Sequence, residues 1–268
     1  MSRPPPDAVV KLGGSVLTDK AGGALAVDEA LVARLAAELA AHRPERLVVV
    51  HGAGSFGHRI VKESGIHRGL SDAASRRAMG ETQRLQYELD AIVVRLLLAA
   101  GLPAMPVQAS ATAVLEDGAL VHLDTTALGI LLDQGLVPVL YGVPAVDRVR
   151  GCAILSGDVI APHVAHALGF GRLVHATDVD GVFTADPRAD PRATRIPRVH
   201  RGNWAEVRAR LAGSGSVDVT GGMAGKVAEL VAWAERGLPS RIVDARVPGR
   251  LAAALMDEPV GTLVDWGP

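Results

Sequence analysis

Four apolar residues, Leu47 to Val50, lead without a break into His51-Gly52-Ala53-Gly54-Ser55-Phe56-Gly57-His58. The run is too short for a buried helix and suits a buried strand. The three glycines then let the backbone turn sharply and bring its N–H groups close to a ligand, just where a helix begins. Those N–H groups, with the partial positive charge of a helix N-terminus, favour an anion such as phosphate. His58 adds a side chain that donates hydrogen bonds or carries charge near neutral pH. A strand opening straight into a phosphate-type loop and a helix is an α/β device, and the rest of the chain must fit around it.

The rest repeats the same alternation. Ala8 to Leu12 reads as a first strand running into Gly13-Gly14-Ser15. Asp28 to Ala41 has helical spacing, Arg46 to Val50 is the second strand, and Ala74 to Ala100 is a long helical pattern. Pro103 and Pro106 bracket an extended piece, and Ala113 to Leu123 reads as a hairpin turning at Asp117-Gly118. Thr125 to Gln134 is helical, and Leu136 to Tyr141 is a strand in which Pro138 marks an irregular position. Further on come a helix over Asp158 to Leu168, a strand over Arg172 to Ala176 and an exposed loop over Asp186 to Arg198. Helices over Asn203 to Leu211 and Gly225 to Glu235 precede strands at Arg241 to Val243 and Gly261 to Val264. Strands alternating with helices of this length predict a mostly parallel sheet covered on both faces. No break in composition cuts the 268 residues, so one domain with two lobes is expected, about residues 1–170 and 171–268.

Composition narrows the partners. A formal net charge of -1 gives no basic excess for nucleic acid, and an aromatic content of 3% weakens any reading that stacks bases. No run of 18 apolar residues is present to span a membrane. The opening MSRPPPDAVV lacks the apolar core of a signal peptide. The single cysteine, Cys152, allows neither an internal disulfide nor a cysteine cluster for zinc, so a reducing cytoplasm is the expected compartment.

Of 28 basic residues only four are lysines, Lys11, Lys20, Lys62 and Lys226. A lysine is a compact point charge, unlike the planar fork of arginine, and three of the four lie beside glycine-rich or turn-like segments. Lys11-Leu12-Gly13-Gly14-Ser15, with Lys20 following, forms a second loop, and Thr220-Gly221-Gly222-Met223-Ala224-Gly225-Lys226 a third. The third is not a P-loop, since Thr220 stands where the first glycine is needed and Val227 follows the lysine. The central loop literally matches G-x-G-x-x-G, but no strand ending in an acidic residue follows about 20 residues on, as a dinucleotide site requires. Three phosphate-type loops exceed the needs of one anion and fit two phosphorylated ligands meeting head to head. Phosphoryl transfer has that geometry and depends on positioning and cations, with Mg²⁺ accompanying the nucleotide. Asp158, in Ser156-Gly157-Asp158, offers the lysines an acidic partner or serves as a helix N-cap. Asp178 and Asp180, in Thr177-Asp178-Val179-Asp180-Gly181, either meet a ribose or close a turn.

Taken in order, these motifs resemble the amino acid kinase superfamily along nearly the whole chain. Within it they resemble the branch that phosphorylates isopentenyl phosphate with ATP. The resemblance rests on Lys11 to Ser15 with Lys20, His51 to His58, Ile154 to Asp158, Thr177 to Gly181, and Asp218 to Met223 with Lys226. It implies an α/β fold of three layers, an αβα sandwich, and a homodimer. It also implies that Lys11, Gly13, Gly14 and Ser15 contact the ATP phosphates, with Lys11 and Lys20 on the transferring group. Ala53, Gly54, His58 and Gly157 then hold the acceptor phosphate, and Asp158 orients the lysines. Asp178, Asp180 and Gly181 bind the nucleoside, while Gly222 and Lys226 take the far phosphates. No protein metal ligand is implied, Mg²⁺ being held mainly through the nucleotide. Two positions depart from the family pattern: Ala53 replaces a glycine, and Gly142-Val143-Pro144 replaces a Gly-Asp. For the acceptor's tail, the long helix offers Met79, Gln83 and Tyr87, residues that would equally serve as plain core. A branch that phosphorylates the phosphonate fosfomycin, or a non-catalytic metabolite sensor of the same fold, are the alternatives.

Overall fold

A computed structural model describes residues 7–18, 25–212 and 222–267. The proline-rich lead-in, Lys20, and Thr220 and Gly221 of the third loop lie outside the described residues. Strand β1 (Asp7–Leu12) leads into a single helical turn, α1 (Gly14–Leu17), and α2 (Glu29–Ala41) returns the chain to β2 (Arg46–His51). Then come α3 (Gly54–Ser64), the long α4 (Ala73–Ala99) and β3 (Ala104–Pro106). A hairpin, β4 (Ala113–Glu116) and β5 (Ala119–Leu123), precedes α5 (Thr126–Asp133) and β6 (Val137–Tyr141). A second hairpin, β7 (Val143–Asp147) and β8 (Gly151–Leu155), precedes α6 (Gly157–Ala167). The last third holds β9 (Leu173–Thr177) and the short strands β10 (Val182–Phe183), β11 (Arg195–Ile196) and β12 (Arg198–Val199). It closes with α7 (Trp204–Ala212), α8 (Gly222–Ala234), β13 (Ser240–Asp244), α9 (Arg250–Leu255) and β14 (Thr262–Val264).

Eight strands form the main sheet in the order β12-β14-β13-β9-β1-β2-β6-β3, parallel except where β14 meets β13. Period-2 alternation divides each central strand between two cores. Ala8, Val10, Leu12, Leu47 and Val49 pack with α2, α4 and α9, while Val9, Val48 and Val50 pack with α5, α6 and α8. The result is the expected αβα sandwich. Each of these side chains is fully or almost fully buried, and full burial of a Val or Leu is worth about 1.5–3 kcal/mol, which explains why β1 and β2 read as unbroken apolar runs.

Helix starts follow local chemistry. Asp28 accepts from Leu31 N–H at 3.0 Å and caps α2. Asp72 and Ser75 form a reciprocal capping box on α4. Pro138, expected to be irregular, lies within a regular β6. The β2 ladder begins only at Val49 opposite Val139, and Val137 N–H on the other flank donates to Pro103 O at 2.9 Å, so the proline's missing donor falls where no ladder bond is required.

The β7–β8 hairpin was not legible in the sequence. It joins β4 and β5 in a separate four-stranded sheet, held at its turns by Asp147. That buried carboxylate accepts from Gly118 N–H at 2.7 Å in one hairpin turn, and from Val149 and Arg150 N–H at 2.9 and 2.8 Å in the other. Burial alone would raise its pKa, but these backbone donors hold it below the usual carboxylate range. The stretch expected as exposed loop from Asp186 to Arg198 contains β11, which pairs with β10, and the start of β12.

Candidate active site

The carboxyl ends of β1 and β2 carry the two glycine loops side by side. Gly13 N–H donates to Ala176 O at 2.8 Å, and Gly52 N–H donates to Leu12 O at 2.9 Å, so each loop is pinned to its neighbouring strand. A Cβ on Gly14 would stand 2.5 Å from Gly54 N, and one on Gly52 would stand 2.6 Å from Gly14 N. Only glycine permits this approach of backbone to backbone. Thr18 stitches the loops together: its Oγ1 donates to Gly14 O at 3.1 Å and accepts from Ser55 N–H at 2.8 Å. The two anion-type loops therefore face one cavity of about 710 Å³.

Between them lies a charge cluster. Lys11 projects from β1 toward the side covered by α6 and α8, and its ammonium stands 3.0 Å from Asp158 Oδ1 in the first turn of α6. Lys226 of α8 donates to the same oxygen. His175, beside Lys11 in the sheet register, places Nδ1 at 3.3 Å from it. Burial would raise the Asp158 pKa, yet Lys11 and Lys226 carry it well below the usual carboxylate range. Burial, with Lys11 close by, pushes Lys226 down to about 8, and burial pushes His175 down to about 4. At neutral pH the cluster thus combines its two lysines with one carboxylate and a neutral imidazole. Its surplus positive charge faces the cavity, where it can meet a phosphoryl group. Asp158 is not the helix cap: Ser156 occupies that position, and the carboxylate is committed to the lysines.

Lys11, Gly13, Gly14, Ser15, Ala53, His58, Gly157, Asp158, Asp178, Gly181 and Lys226 line this one cavity. Gly222 opens α8, whose Met223 and Lys226 reach the cavity wall. Gly54 lies behind the wall, packed against Gly14 and Thr18 at a φ of 52°. Asp178 accepts from Ser15 Oγ at 2.9 Å and from Arg188 at 2.6 Å, which ties the β1 loop to the segment between β10 and β11. These donors bring its pKa down to about 2 against the opposing effect of burial.

Besides Gly54, three expected residues are placed away from the cavity. Asp180 turns away from the cavity toward Arg250 at 3.2 Å and accepts from Asp244 N–H, so it braces the turn. Gln83 donates to Ser110 Oγ and Pro144 O at 2.9 and 2.7 Å, and neither it nor Met79 lines the cavity. The buried face of α4 passes through Thr82 and Gln86, and these two line it instead. Gln83, one residue past Thr82, is turned about 100° around the helix axis. Near the Gly52–His58 loop the wall gains apolar residues from Val61 of α3 and from Val143, Pro144, Ala153 and Ile154 of the β7–β8 hairpin, while Val179, Phe183, Pro187 and Met223 add others. Sequence reasoning also gave no role to His175, Gln86 or Arg188. The first is fixed by strand register and the last by a loop contact, neither of which leaves a local signal.

Among the described residues no group of three or more His, Cys, Asp or Glu could hold a metal ion, and no helix is long and apolar enough to cross a membrane. Two anion loops ending adjacent strands of an αβα sandwich, with lysines held by one aspartate between them, define a phosphoryl-transfer site. The sequence profile of the Amino acid kinase family matches residues 8–244, and the chain belongs to that family. It is 37% identical over 258 residues to an isopentenyl phosphate kinase of Methanothermobacter thermautotrophicus, covering 94% of this chain and 96% of that protein. It is 31% identical over 259 residues to a glutamate 5-kinase of Pelobacter propionicus, covering 95% of this chain and 66% of that one. A crystal structure of an isopentenyl phosphate kinase superposes with a TM-score of 0.84 at 34% identity, covering 96% of this chain and 99% of the other.

Proposed function

We propose that this chain transfers the γ-phosphoryl group of ATP to isopentenyl phosphate, giving isopentenyl diphosphate and ADP. The observation that carries this reading is the contact of the Gly13–Ser15 and Gly52–Gly54 loops beside the Lys11–Asp158–Lys226 cluster. A phosphate oxygen of the acceptor attacks the γ-phosphorus as the bond to the bridging oxygen of ADP breaks. The acceptor is already an anion, so no general base is needed. Lys11 and Lys226 offset charge on the transferring group, and Asp158 holds both in place. Gly13, Gly14, Ser15 and the start of α8 receive the donor phosphates. Ala53, His58 and Gly157 receive the acceptor phosphate, Gly54 holding that loop against Gly14 from behind, with Lys20 joining the transfer. The apolar residues of β7 and β8 suit a short hydrocarbon tail.

Mg²⁺ would enter with the ATP phosphates, while the Asp158 oxygen engaged by both lysines stays committed to them. The same reading includes a single two-lobed domain acting as a homodimer in the cytoplasm. The test is ADP release with isopentenyl phosphate, with alkyl phosphates of increasing chain length and with fosfomycin. Turnover is expected with isopentenyl phosphate, and absence of turnover with every small phosphate and phosphonate refutes the kinase reading. In the same assay His58→Ala is expected to raise the KM for the acceptor more than that for ATP.

A further inference from the structure

Directly beneath the acceptor loop lies a buried pair that the chemistry above does not use. His51, the last residue of β2, is fully buried and directs its ring toward α4. Its Nε2 stands 3.2 Å from Asp90 Oδ1, its Nδ1 stands 3.0 Å from Gly52 O, and its ring stacks on Tyr141 at 5.4 Å. Gly52 O can only accept, so Nδ1 must carry a proton, and Asp90 fixes the ring from the far side. The Gly52–Ala53 peptide is trans, so its N–H points opposite to its C=O. With Gly52 C=O held inward on the buried ring, Ala53 N–H is turned the other way, to the side on which Gly52 and Ala53 line the cavity.

We propose that His51 and Asp90 are positioning residues that aim the Ala53 N–H at the acceptor phosphate. Glycine at position 52 is required by the approach of Gly14, and glycine gives this peptide freedom to flip. The Asp90–His51–Gly52 chain of hydrogen bonds removes that freedom. The next peptide is treated in the same way from one turn earlier on α4, where Gln86 Nε2 donates to Ala53 O at 3.4 Å. Asp90 and Gln86 are four residues apart, hence on one helix face, and both are buried. A helix on one side of the sheet therefore sets the direction of two successive N–H groups that its own side chains do not replace. The inference rests on reading the Gly52–His58 loop as the seat of the acceptor phosphate.

Two measurements test it. In the unmutated protein with ¹⁵N-labelled histidine, His51 Nδ1 should show a directly bonded proton, and a bare Nδ1 would overturn the proposal. In the ADP-release assay, Asp90→Leu should raise the KM for isopentenyl phosphate about 10- to 100-fold, the effect of one mis-aimed hydrogen bond to a charged group, with the KM for ATP within about twofold. Asp90→Asn should restore the acceptor KM, because its amide can donate to Nε2 and leave the proton on Nδ1. Equal rises in both KM values, or an Asp90→Asn enzyme as impaired as Asp90→Leu, would show a merely structural role and overturn it. His58→Ala separates the two levels. If it raises the acceptor KM while Asp90→Leu does not, the positioning role alone fails; if neither variant does, the acceptor-site reading fails with it.

Discussion

Gly14→Ala probes the contact on which the site depends. Gly14 lies in α1 and has no positive φ, so alanine fits its backbone conformation and only the added methyl matters. That methyl would stand 2.5 Å from Gly54 N and 2.9 Å from Gly54 Cα, both backbone atoms without a rotamer to escape into. Ordinary contact begins near 3.4 Å, so the Gly13–Ser15 and Gly52–Gly54 loops, proposed to hold donor and acceptor, must part by about 0.9 Å. In-line transfer needs its reacting atoms about 3–3.5 Å apart, and a displacement near 1 Å is worth about 100-fold in rate. The expected result is a kcat lower by about two orders of magnitude, with both KM values changed by less than about threefold, because each loop keeps its own anion contacts. Overpacking should also lower stability by about 1–3 kcal/mol, read as a fall in Tm. A Gly14→Ala enzyme with kcat within about threefold of the original would refute the idea that spacing between the loops sets the transfer distance.

Three further outcomes follow from other features. Gly80 lies exposed in the middle of α4 with nothing within 4 Å of an added Cβ, so Gly80→Ala should raise stability by up to about 1 kcal/mol without changing kcat, and a loss of stability by thermal melting would contradict this. Asp158→Asn leaves two buried ammonium groups without their carboxylate; breaking such a pair costs about 3–5 kcal/mol, and kcat/KM for ATP should drop at least about 100-fold, whereas a loss under about threefold would deny the carboxylate its orienting role. Lys226, pushed down to about 8, is charged below that pH and loses its charge above it, so kcat/KM for ATP should decline as pH rises through about 8. An equal decline in Lys226→Arg, whose guanidinium stays charged, would assign the limb to another group.

The alternation of apolar runs and amphipathic helices was enough to predict a parallel sheet with both faces covered, because burial of a strand on two sides admits few polar residues. The glycine loops after β1 and β2, and the lysines at 11 and 226, were equally legible, since phosphate chemistry needs those residue types in adjacent positions. Asp158 was recognisable as a candidate partner, but its choice between cap and counter-ion was not. That choice depends on β1, α6 and α8 meeting in space, with α8 about 70 residues away in the chain.

Other features were decided only by tertiary structure. Met79 and Gln83 carry suitable side chains, yet the rotation of α4 against the sheet gives the cavity Thr82 and Gln86. Asp180 sits one residue from Gly181, yet Arg250 and Asp244 draw it outward. The β7–β8 hairpin, which supplies Val143, Pro144, Ala153 and Ile154 to the wall, begins with a Val-Pro pair that reads as loop, and pairing of β7 with β8 makes it a strand. His51 stood in the sequence as the residue before a glycine loop. Its partner, Asp90, lies 39 positions on, and only the packing of α4 against β2 brings the two together. Sequence determined which residues could bind phosphate, because that is local chemistry. Which of them face one another was left to packing, because distance in space is set by contacts that no short stretch of sequence contains.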